Sequence, residues 1–447
     1  MTDLSHPAPR FSASDAEGLA KDLFNVCGTA TPLDGERDRN YRLDTGVDAG
    51  WILKIVNASE PRVESEFQTA LLDHLAVHGA HLGVPHLRAS VTGDYLPSVA
   101  SSTGEQHAVR LVSWLAGTPL AKARRSLALM RNFGQALGEL DRALQGFMHP
   151  GAVRDLDWDL RHAARSRSRL HCIKDPDRRA VAERFIARFE QTVQPELASL
   201  RAQVIHNDAN DWNILVDAET AGNVTGFIDF GDAVHTVLIA EVAIASAYAI
   251  LDMDDPIGAA AALVAGFHEK YPLQAQELDV LFNLIAMRLV ISVTFSASRQ
   301  DQTDDNPYLA ISEAPAWRLL EQLDSMNPRL ATGILRKACG FDAIEGAGEV
   351  RRWIADNHKS FADLVRPSAA ILDKVIAPFG DASHEMTIAS AQQRPADATR
   401  WWNECSAAHK APLGIGPWGE VRAVYTDSAF ESRFIKGQHR TLHVGVD

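Results

Sequence analysis

The sequence has 447 residues, of which 46% are hydrophobic and 23% charged, so it is long enough for more than one globular unit. Lys+Arg 44 against Asp+Glu 58 gives a formal net charge of −14. This charge argues against a protein that coats nucleic acid and against one that binds a membrane surface.

Cysteine usage and the N-terminus predict a cytoplasmic protein. The cysteines, at positions 27, 172, 339 and 405, are far apart and form no CxxC pair. This pattern predicts neither a disulfide framework nor a cysteine zinc site, and it fits a reducing compartment. The N-terminal residues show no signal peptide, and the apolar stretch 237–251 is too short for a membrane span.

The first part of the chain predicts a small mixed sheet with one long helix. Residues 30–56 alternate in polarity and turn at glycines, which indicates a hairpin. Residues 61–79 carry apolar side chains, from Val63 onward, at helical spacing, and residues 108–117 indicate another strand. We therefore predict a first lobe over residues 1–112.

Residues 113–345 predict a mainly helical second lobe. Met130, Phe133, Leu137 and Leu140 step by three and four residues, as in a helix with one buried face. Two short strands, in "VIHNDANDWNILVD" (204–217) and "VTGFIDFGD" (224–232), interrupt the helices. The expected fold class is α+β, with residues 346–447 as a linker and a β-rich third segment.

The polar residues between these two strands have the spacing of a catalytic loop. His206-x-Asp208 is followed after four residues by Asn213, which resembles the H-x-D-x-x-x-x-N loop of kinases. "IDFGD", containing Asp229, resembles the D-F-G turn that binds metal in those enzymes. The order of a strand lysine (Lys54), a helix glutamate, the loop and the metal aspartate is the kinase order.

Phosphoryl transfer explains these residue types. A positioned carboxylate accepts the proton of the substrate hydroxyl, oxygen ligands hold Mg²⁺, and a cation binds phosphates. Asp208 would be the base, Asn213 and Asp229 would hold Mg²⁺, and Lys54 would bind the α- and β-phosphates. Glu66 lies close to the apolar face of its helix, and we expect it, rather than Glu64, to orient Lys54.

Simpler explanations exist for each residue taken alone. Asp and Asn commonly form caps and turns, a lone lysine in a strand is usually exposed, and His206 fits a structural residue of the loop. Trp212 could contact a substrate ammonium by a cation–π interaction, or it could be a packed loop aromatic. The joint order and spacing favour the catalytic interpretation.

At these residues, the chain resembles the aminoglycoside phosphotransferase and choline kinase superfamily. The motifs "NDWNIL", "IDFGDAVHT", "ERDRNY" and "LKIVN" are most similar to its hydroxylysine kinase branch, and the resemblance covers about residues 15–345. Asn207 stands where the superfamily loop commonly has glycine. The resemblance implies a bilobal protein-kinase-like fold that binds ATP or GTP between its lobes.

The resemblance also implies where the nucleotide would lie. "GERDRNY" would replace a glycine-rich loop, with Gly35, Arg37 and Asn40 facing the phosphates, although a simple hairpin turn explains these residues equally well. The hinge that receives the purine through its backbone groups would lie near Ser113 to Leu115.

The implied acceptor is a small hydroxylated amine or amino acid. Its ammonium would lie near acids of the helical lobe, for which Asp232 and Glu241 are candidates, although surface solvation or helix capping also accounts for them. An aminoglycoside acceptor and a non-catalytic kinase-like binding module remain as alternatives. The intact base and metal ligands disfavour the non-catalytic module.

The C-terminal segment offers one misleading motif and one partial one. "GIGPWG" (414–419) matches a dinucleotide fingerprint, but no strand precedes it and a strand-like run follows it. His443-x-x-x-Asp447 resembles the first ligand pair of lysostaphin-type zinc peptidases, without the further histidines that such a site needs. The resemblance implies an incomplete peptidase-like module without a complete zinc site, in a chain fused to further domains. An exposed tail with a stray histidine is the alternative.

Overall fold

The computed structural model describes residues 8–33, 35, 37–46, 50–217, 222–302 and 307–343, together with 366–367, 384–387, 424–425 and 441–444. The chain divides into two compact units, Met1–Cys339 and Gly340–Asp447. The first unit contains every residue named above for the kinase-like site.

A five-stranded antiparallel sheet forms the N-terminal lobe, in the order β1-β2-β3-β5-β4. Its elements are α1 (Ala13–Phe24), β1 (Thr29–Leu33), β2 (Arg39–Asp44), β3 (Trp51–Ile55), α2 (Arg62–His78), β4 (Ser98–Ala100) and β5 (Gln106–Ser113). Leu53 and Ile55 of β3 are buried against α1, so Lys54 between them points to the other face. The predicted hairpin is confirmed as the pair β2 and β3.

The second lobe is mainly helical, with two small sheets beside the loop of interest. Its elements are β6 (Thr118–Pro119), α3 (Leu127–Ala143), α4 (Pro176–Arg188), β7 (Ala202–Ile205), β8 (Ile214–Val216), β9 (Val224–Phe227), β10 (Val234–Val237), α5 (Ile239–Ala249), α6 (Pro256–Lys270), α7 (Ala275–Gln302), α8 (Pro307–Asp324) and α9 (Pro328–Ala338). The sheets have the orders β6-β8-β9 and β10-β7. A mixed fold with a β-sheet N-terminal lobe and a helical second lobe is therefore confirmed.

The predicted apolar stripe of α3 is buried as expected, with Met130, Phe133 and Leu137 at 0% exposure. Val63 departs from prediction, because it lies in the first turn of α2 and is 42% exposed. The buried face of that helix begins instead at Ser65 and Phe67.

Helix α7 is a long apolar helix that the sequence analysis did not single out. Its segment Ala275–Arg299 is long and apolar enough to cross a membrane, with a mean hydropathy of 1.9 in its most apolar window, and 83% of that window is buried inside the protein. Arg288 lies within it and is also buried. This environment is that of a core helix, around which α5, α8 and α9 pack.

In the second unit, the described residues form short antiparallel strands. These are β11 (Arg366–Pro367), β12 (His384–Thr387), β13 (Val424–Tyr425) and β14 (Thr441–Val444), in the order β11-β12-β14-β13. The "GIGPWG" motif and Asp447 lie outside the described residues, as do the side-chain surroundings of His443. The incomplete peptidase-like module therefore stays a prediction.

Helices α3 and α6 approach each other closely at glycines. A Cβ added at Gly134 would lie 1.9 Å from the carbonyl oxygen of Leu263 and 2.8 Å from the nitrogen of Phe267. These are backbone atoms, which cannot move aside like the end of a flexible side chain. The helix spacing therefore depends on glycine at this position.

We expect Gly134→Ala to lower the free energy of unfolding by about 1–3 kcal/mol, as for other overpacked sites. Gly18→Ala is the matched control, because Gly18 lies in α1 with nothing within 4 Å of its added Cβ. That change should stabilise the protein by roughly 0.5–1 kcal/mol through helix propensity. Urea unfolding of both variants provides the measurement, and equal effects would contradict this account of the helix contact.

Candidate active site

The loop between β7 and β8 is anchored by a buried histidine. His206 is 0% exposed, its Nε2 donates to the carbonyl of Ile228 at 3.0 Å, and its Nδ1 accepts the N–H of Asp208 at 3.2 Å. Burial lowers the pKa of His206 and favours the neutral ring that this donor and acceptor pattern requires. His206 therefore has a structural role, since it joins the segments after β7 and β9 that carry Asp208 and Asp229.

Asn207 supplies an unusual backbone conformation directly before Asp208. Its φ of 64° lies in the left-handed region, where glycine and asparagine are most readily accommodated. Its N–H donates to Glu241 Oε2 at 3.0 Å, and its Nδ2 donates to the carbonyl of Asp232 at 3.1 Å. The asparagine thus keeps the turn that a glycine would form and adds a side-chain bond to it.

The carboxylate of Asp208 is held at both oxygens. Its Oδ2 accepts from Asn213 Nδ2 at 2.8 Å and from Asn210 Nδ2 at 3.1 Å, and its Oδ1 accepts from Arg288 Nη2 at 2.8 Å. Burial raises the pKa of Asp208 to about 7, although Arg288 acts in the opposite direction. A carboxyl that titrates near neutral pH suits a group that must accept a proton in one step and release it later.

Asn213 and Asp229 present oxygen atoms of the kind that a hard divalent cation prefers. The Nδ2 of Asn213 donates to the backbone and side chain of Asp208, so its Oδ1 is the side-chain atom left for a cation. Asp229 has a φ of 58°, and its Oδ1 accepts the N–H of Gly231 at 3.1 Å. Burial raises the pKa of Asp229, but Lys54 and the Gly231 N–H outweigh it, so the net pKa is lowered and the group stays ionised.

These two residues fit a magnesium site completed by phosphate and water. Mg²⁺ in such sites usually keeps waters and takes few protein ligands. Within the described ranges, no group of three or more His, Cys, Asp and Glu side chains is placed to hold a metal ion.

Lys54 reaches the same region from β3. Its Nζ lies 3.0 Å from Asp38 Oδ2, and a Cβ built on Gly231 would lie 3.9 Å from this Nζ and 2.9 Å from Asp229 Oδ1. Burial lowers the pKa of Lys54, but Asp38 and Asp229 outweigh burial and raise it overall. The structure therefore places a charged ammonium beside Asp229, the candidate metal ligand, in the arrangement that the kinase motif order predicts.

The predicted pairing of Glu66 with Lys54 does not form in this structure. The side chain of Glu66 is 48% exposed and pairs with Arg62 one helical turn earlier, at 3.0 Å. Glu64 instead turns inward and pairs with Arg154 at 3.0 Å, and Arg154 also donates to the carbonyls of Gly231 and Ala233. Glu64 therefore reaches the turn after Asp229 through Arg154, and Asp38 instead of Glu66 lies beside Lys54.

The loop before β2 only partly faces the cleft. Asn40 lies opposite Lys54 in the sheet register and beneath the turn at Gly35, where an added Cβ would be 2.9 Å from Asn40 Nδ2. Arg37 reaches across to Asp232, with 3.4 Å between Nη2 and Oδ1. Among Gly35, Arg37 and Asn40, Arg37 is the side chain that spans the two lobes.

The predicted hinge is used in part by the protein itself. The N–H of Ser113 donates to the carbonyl of His86 at 2.9 Å, and that of Trp114 donates to the carbonyl of Gly50 at 3.0 Å. These N–H groups therefore already have partners within the fold, and the contact of this hinge with a purine stays a prediction. Leu115 follows directly, with its side chain against Gly226, and it is the remaining hinge residue of that prediction.

The candidates for binding an acceptor ammonium lie in different surroundings. Glu241 is 0% exposed, and its Oε2 accepts the backbone N–H of Asn207. This position corrects the expectation that Glu241 meets the acceptor. The side chain of Asp232 is 20% exposed and pairs with Arg37. Trp212 is 42% exposed, and Lys122 Nζ lies 5.3 Å from its ring centroid, so one cation already contacts that ring.

Sequence reasoning missed residues that carry no motif. Arg288 and Arg154 come from segments distant in sequence, and their positions follow only from packing. Asp141 is also buried near Glu241, and its carboxylate oxygens have no hydrogen-bond partner within the described residues. Asp38 alone carried a signal, since it lies inside the "GERDRNY" run.

The two-lobed fold, the lysine in β3 and the acids Asp208 and Asp229 after β7 and β9 define a kinase-like phosphotransferase. Residues 29–278 match the phosphotransferase enzyme family (APH), which is more than half of the chain. The chain belongs to this family and is a small-molecule kinase that acts on a hydroxyl group.

Similar proteins agree with this membership. Hydroxylysine kinase of Xenopus laevis is 28% identical over 72% of this chain and 92% of its own length, and that of Mus musculus is 28% identical over 72% and 91%. An amicoumacin kinase, solved in complex with AMP-PNP, Ca²⁺ and Ami, has a TM-score of 0.56 at 14% identity, covering 71% of this chain and 96% of that one. A microcompartment-associated aminopropanol kinase has a TM-score of 0.50 at 17% identity, covering 73% and 99%.

Glu241 should make stability depend on pH. Burial raises its pKa from 4.5 to about 7, although the N–H of Asn207 lowers it, so the folded state holds a proton that the unfolded state releases. The stabilisation from this proton is present at low pH and is lost as pH rises through about 7. As pH rises from about 5 to about 8, the free energy of unfolding should therefore fall less for Glu241→Gln than for the wild type.

Urea unfolding at a series of pH values measures this difference. Glu66→Gln serves as the control, because Glu66 is exposed and its change should leave the wild-type pH dependence in place. Parallel curves for Glu241→Gln and the wild type would show that Glu241 is not protonated in the folded protein.

Proposed function

We propose that this enzyme transfers the γ-phosphoryl group of ATP or GTP to the hydroxyl of a small amino alcohol or hydroxylated amino acid, with hydroxylysine as the first candidate. The observation that carries the proposal is the convergence of Asp208, Asn213, Asp229 and Lys54 around one loop. Each supplies a function that phosphoryl transfer requires, namely a base, cation ligands and a phosphate-binding ammonium.

The nucleotide phosphates would lie between Lys54 and the metal-binding residues. Asn213 Oδ1 and the carboxylate of Asp229 are the groups that would hold Mg²⁺. When bound, the cation would neutralise charge that develops on the transferred phosphoryl group. The amicoumacin kinase was solved with AMP-PNP and Ca²⁺, which supports a nucleotide and a divalent cation in this family.

Asp208 would act on the acceptor. The acceptor hydroxyl gives its proton to the Asp208 carboxylate as its oxygen forms a bond to the γ-phosphorus. The bond between that phosphorus and the β–γ bridging oxygen breaks, and the electron pair leaves with the nucleoside diphosphate. Asn210, Asn213 and Arg288 hold the carboxylate in place during this step.

The acceptor class is supported by the relatives and by local charge. Hydroxylysine kinases match over most of their length, and an aminopropanol kinase shares the fold. Both names describe acceptors that pair a hydroxyl with an amine. Asp232 is a partly exposed acid beside the loop, so it is our first candidate for the acceptor ammonium.

A nucleotide-consumption screen tests the proposal. The acceptors are hydroxylysine, ethanolamine, choline, homoserine and an aminoglycoside, each with ATP and with GTP in the presence of Mg²⁺. We expect turnover with hydroxylysine or an ethanolamine-like amino alcohol. Turnover confined to the aminoglycoside would replace the acceptor class, and no acceptor-dependent turnover at all would contradict the proposal.

Replacing the base and a metal ligand should separate chemistry from binding. Asp208→Asn should lower kcat by roughly 10²–10⁴ while nucleotide binding persists, the usual effect of losing a general base. Asp211→Asn is the matched control, since Asp211 lies in the same loop but pairs with Arg125 at 2.6 Å. Asp229→Ala should abolish the Mg²⁺-dependent part of nucleotide affinity. Kinetics and calorimetry provide the readouts, and an Asp208→Asn enzyme within about threefold of wild type would exclude this base.

Variants of Lys54 and Glu66 test the proposed role of Lys54 as the phosphate-binding cation. Lys54→Met should lower kcat/KM for the nucleotide by about 10²-fold or more, because a buried charge beside the phosphates is lost. Glu66→Gln should change it by less than about twofold, since Glu66 faces solvent and contacts Arg62. A large loss in Glu66→Gln would mean that α2 rotates to bring Glu66 to Lys54 when nucleotide binds.

A further inference from the structure

The guanidinium of Arg288 donates hydrogen bonds to Asp208 and to two further residues beside it. It is 2% exposed and lies in the middle of α7. Its Nη2 donates to Asp208 Oδ1 at 2.8 Å, its Nε to the hydroxyl of Tyr248 at 3.2 Å, and its Nη1 to the carbonyl of Trp158 at 3.2 Å. The last two bonds fix the cation independently of the aspartate that it contacts.

Aromatic rings complete this enclosure. The guanidinium carbon of Arg288 lies 4.6 Å from the ring centroid of Trp158 and 5.4 Å from that of Tyr248. Trp158 in turn stacks on Phe295 at 4.8 Å between ring centroids. A planar cation between two rings, with directed bonds at its edge, has little rotational freedom. The atom that contacts Asp208 is therefore fixed in position.

The contacts of Asp208 leave one defined acceptor site. An ionised carboxylate offers about four lone-pair positions, two on each oxygen. Within the described residues, Asn210 and Asn213 occupy the two on Oδ2, and Arg288 occupies one on Oδ1. The position left for a further proton is the second one on Oδ1, next to the Arg288 bond.

We propose that Arg288 is a positioning residue for the transfer reaction, which presents Oδ1 of Asp208 to the acceptor hydroxyl. Without it, Asn210 and Asn213 would still hold Oδ2, but Oδ1 would have no fixed partner. Small rotations about the broad terminal torsion would then change the direction of its free lone pair. A displacement of about 1 Å can cost roughly 10²-fold in rate, so a fixed cation behind the base has a kinetic consequence. This inference rests on the proposed role of Asp208 as the base.

The test is a double-mutant cycle on the full chain, with hydroxylysine as acceptor, Mg²⁺, and ATP or GTP as the screen selects. Arg288→Met should lower kcat by about 10- to 100-fold, with nucleotide affinity within about threefold of wild type. In the Asp208→Asn background, the same change should alter kcat by less than about threefold, because Arg288 acts only through that carboxylate. Arg288→Lys should keep more activity than Arg288→Met, since an ammonium can still bond Oδ1.

Arg336→Met is the matched control for losing a buried arginine. Arg336 lies in α9, is 6% exposed and pairs with Asp279 of α7, away from the catalytic loop. It should affect stability without a selective effect on kcat. If Arg288→Met does not fold, Tyr248→Phe gives the same readout, since it removes one anchor of the guanidinium and keeps the ring. It should lower kcat several-fold in the wild-type background and leave kcat unchanged in the Asp208→Asn background.

The outcomes separate the two assignments. An Arg288→Met enzyme with wild-type kcat, or equal losses in the wild-type and Asp208→Asn backgrounds, would overturn the positioning role and leave the base in place. Wild-type turnover by Asp208→Asn would instead overturn the base assignment itself.

Discussion

The hydrogen bond from the Asn207 N–H to the buried carboxyl of Glu241 is the contact on which the site depends. It fixes the left-handed residue directly before Asp208, and so sets the direction in which the side chain of this proposed base leaves the backbone. Glu241 comes from α5, a helix whose residues are almost all buried, so the anchor cannot shift without disturbing the core. The loop that carries Asp208 is therefore attached to the buried core of the second lobe.

His206 extends this constraint to the metal-binding turn. Its neutral ring bonds to the carbonyl of Ile228 on one side and the N–H of Asp208 on the other. Asp229 follows Ile228 directly, so the same ring positions Asp208 and Asp229, the proposed base and the proposed cation ligand. Cations lie beside these acids, with Arg288 on Asp208 and Lys54 shared between Asp38 and Asp229. Such pairing is what allows several ionised groups to persist in a partly buried cleft.

The sequence alone was sufficient to predict residues whose spacing matches a catalytic motif. The order of Lys54, His206-x-Asp208, Asn213 and Asp229 predicted the loop, and each residue lies in or next to a short strand. It was not sufficient for pairs set by packing. Glu66 and Glu64 lie on the same helix two residues apart, and only the position of Arg154 shows which of them turns inward. Arg288 lies in an apolar helix without a motif, so its contact with Asp208 could not be predicted from spacing.

The central claim is that Asp208 accepts the proton of the acceptor hydroxyl as that hydroxyl is phosphorylated. Asn213 and Asp229 hold the cation. A crystal structure of the enzyme with Mg²⁺, a non-hydrolysable nucleotide and hydroxylysine tests it most directly. The account predicts the acceptor hydroxyl within about 2.6–3.2 Å of Asp208 Oδ1, with Asn213 Oδ1 and the Asp229 carboxylate ligating the cation. An acceptor hydroxyl bound away from Asp208, or a cation held by neither residue, would contradict it.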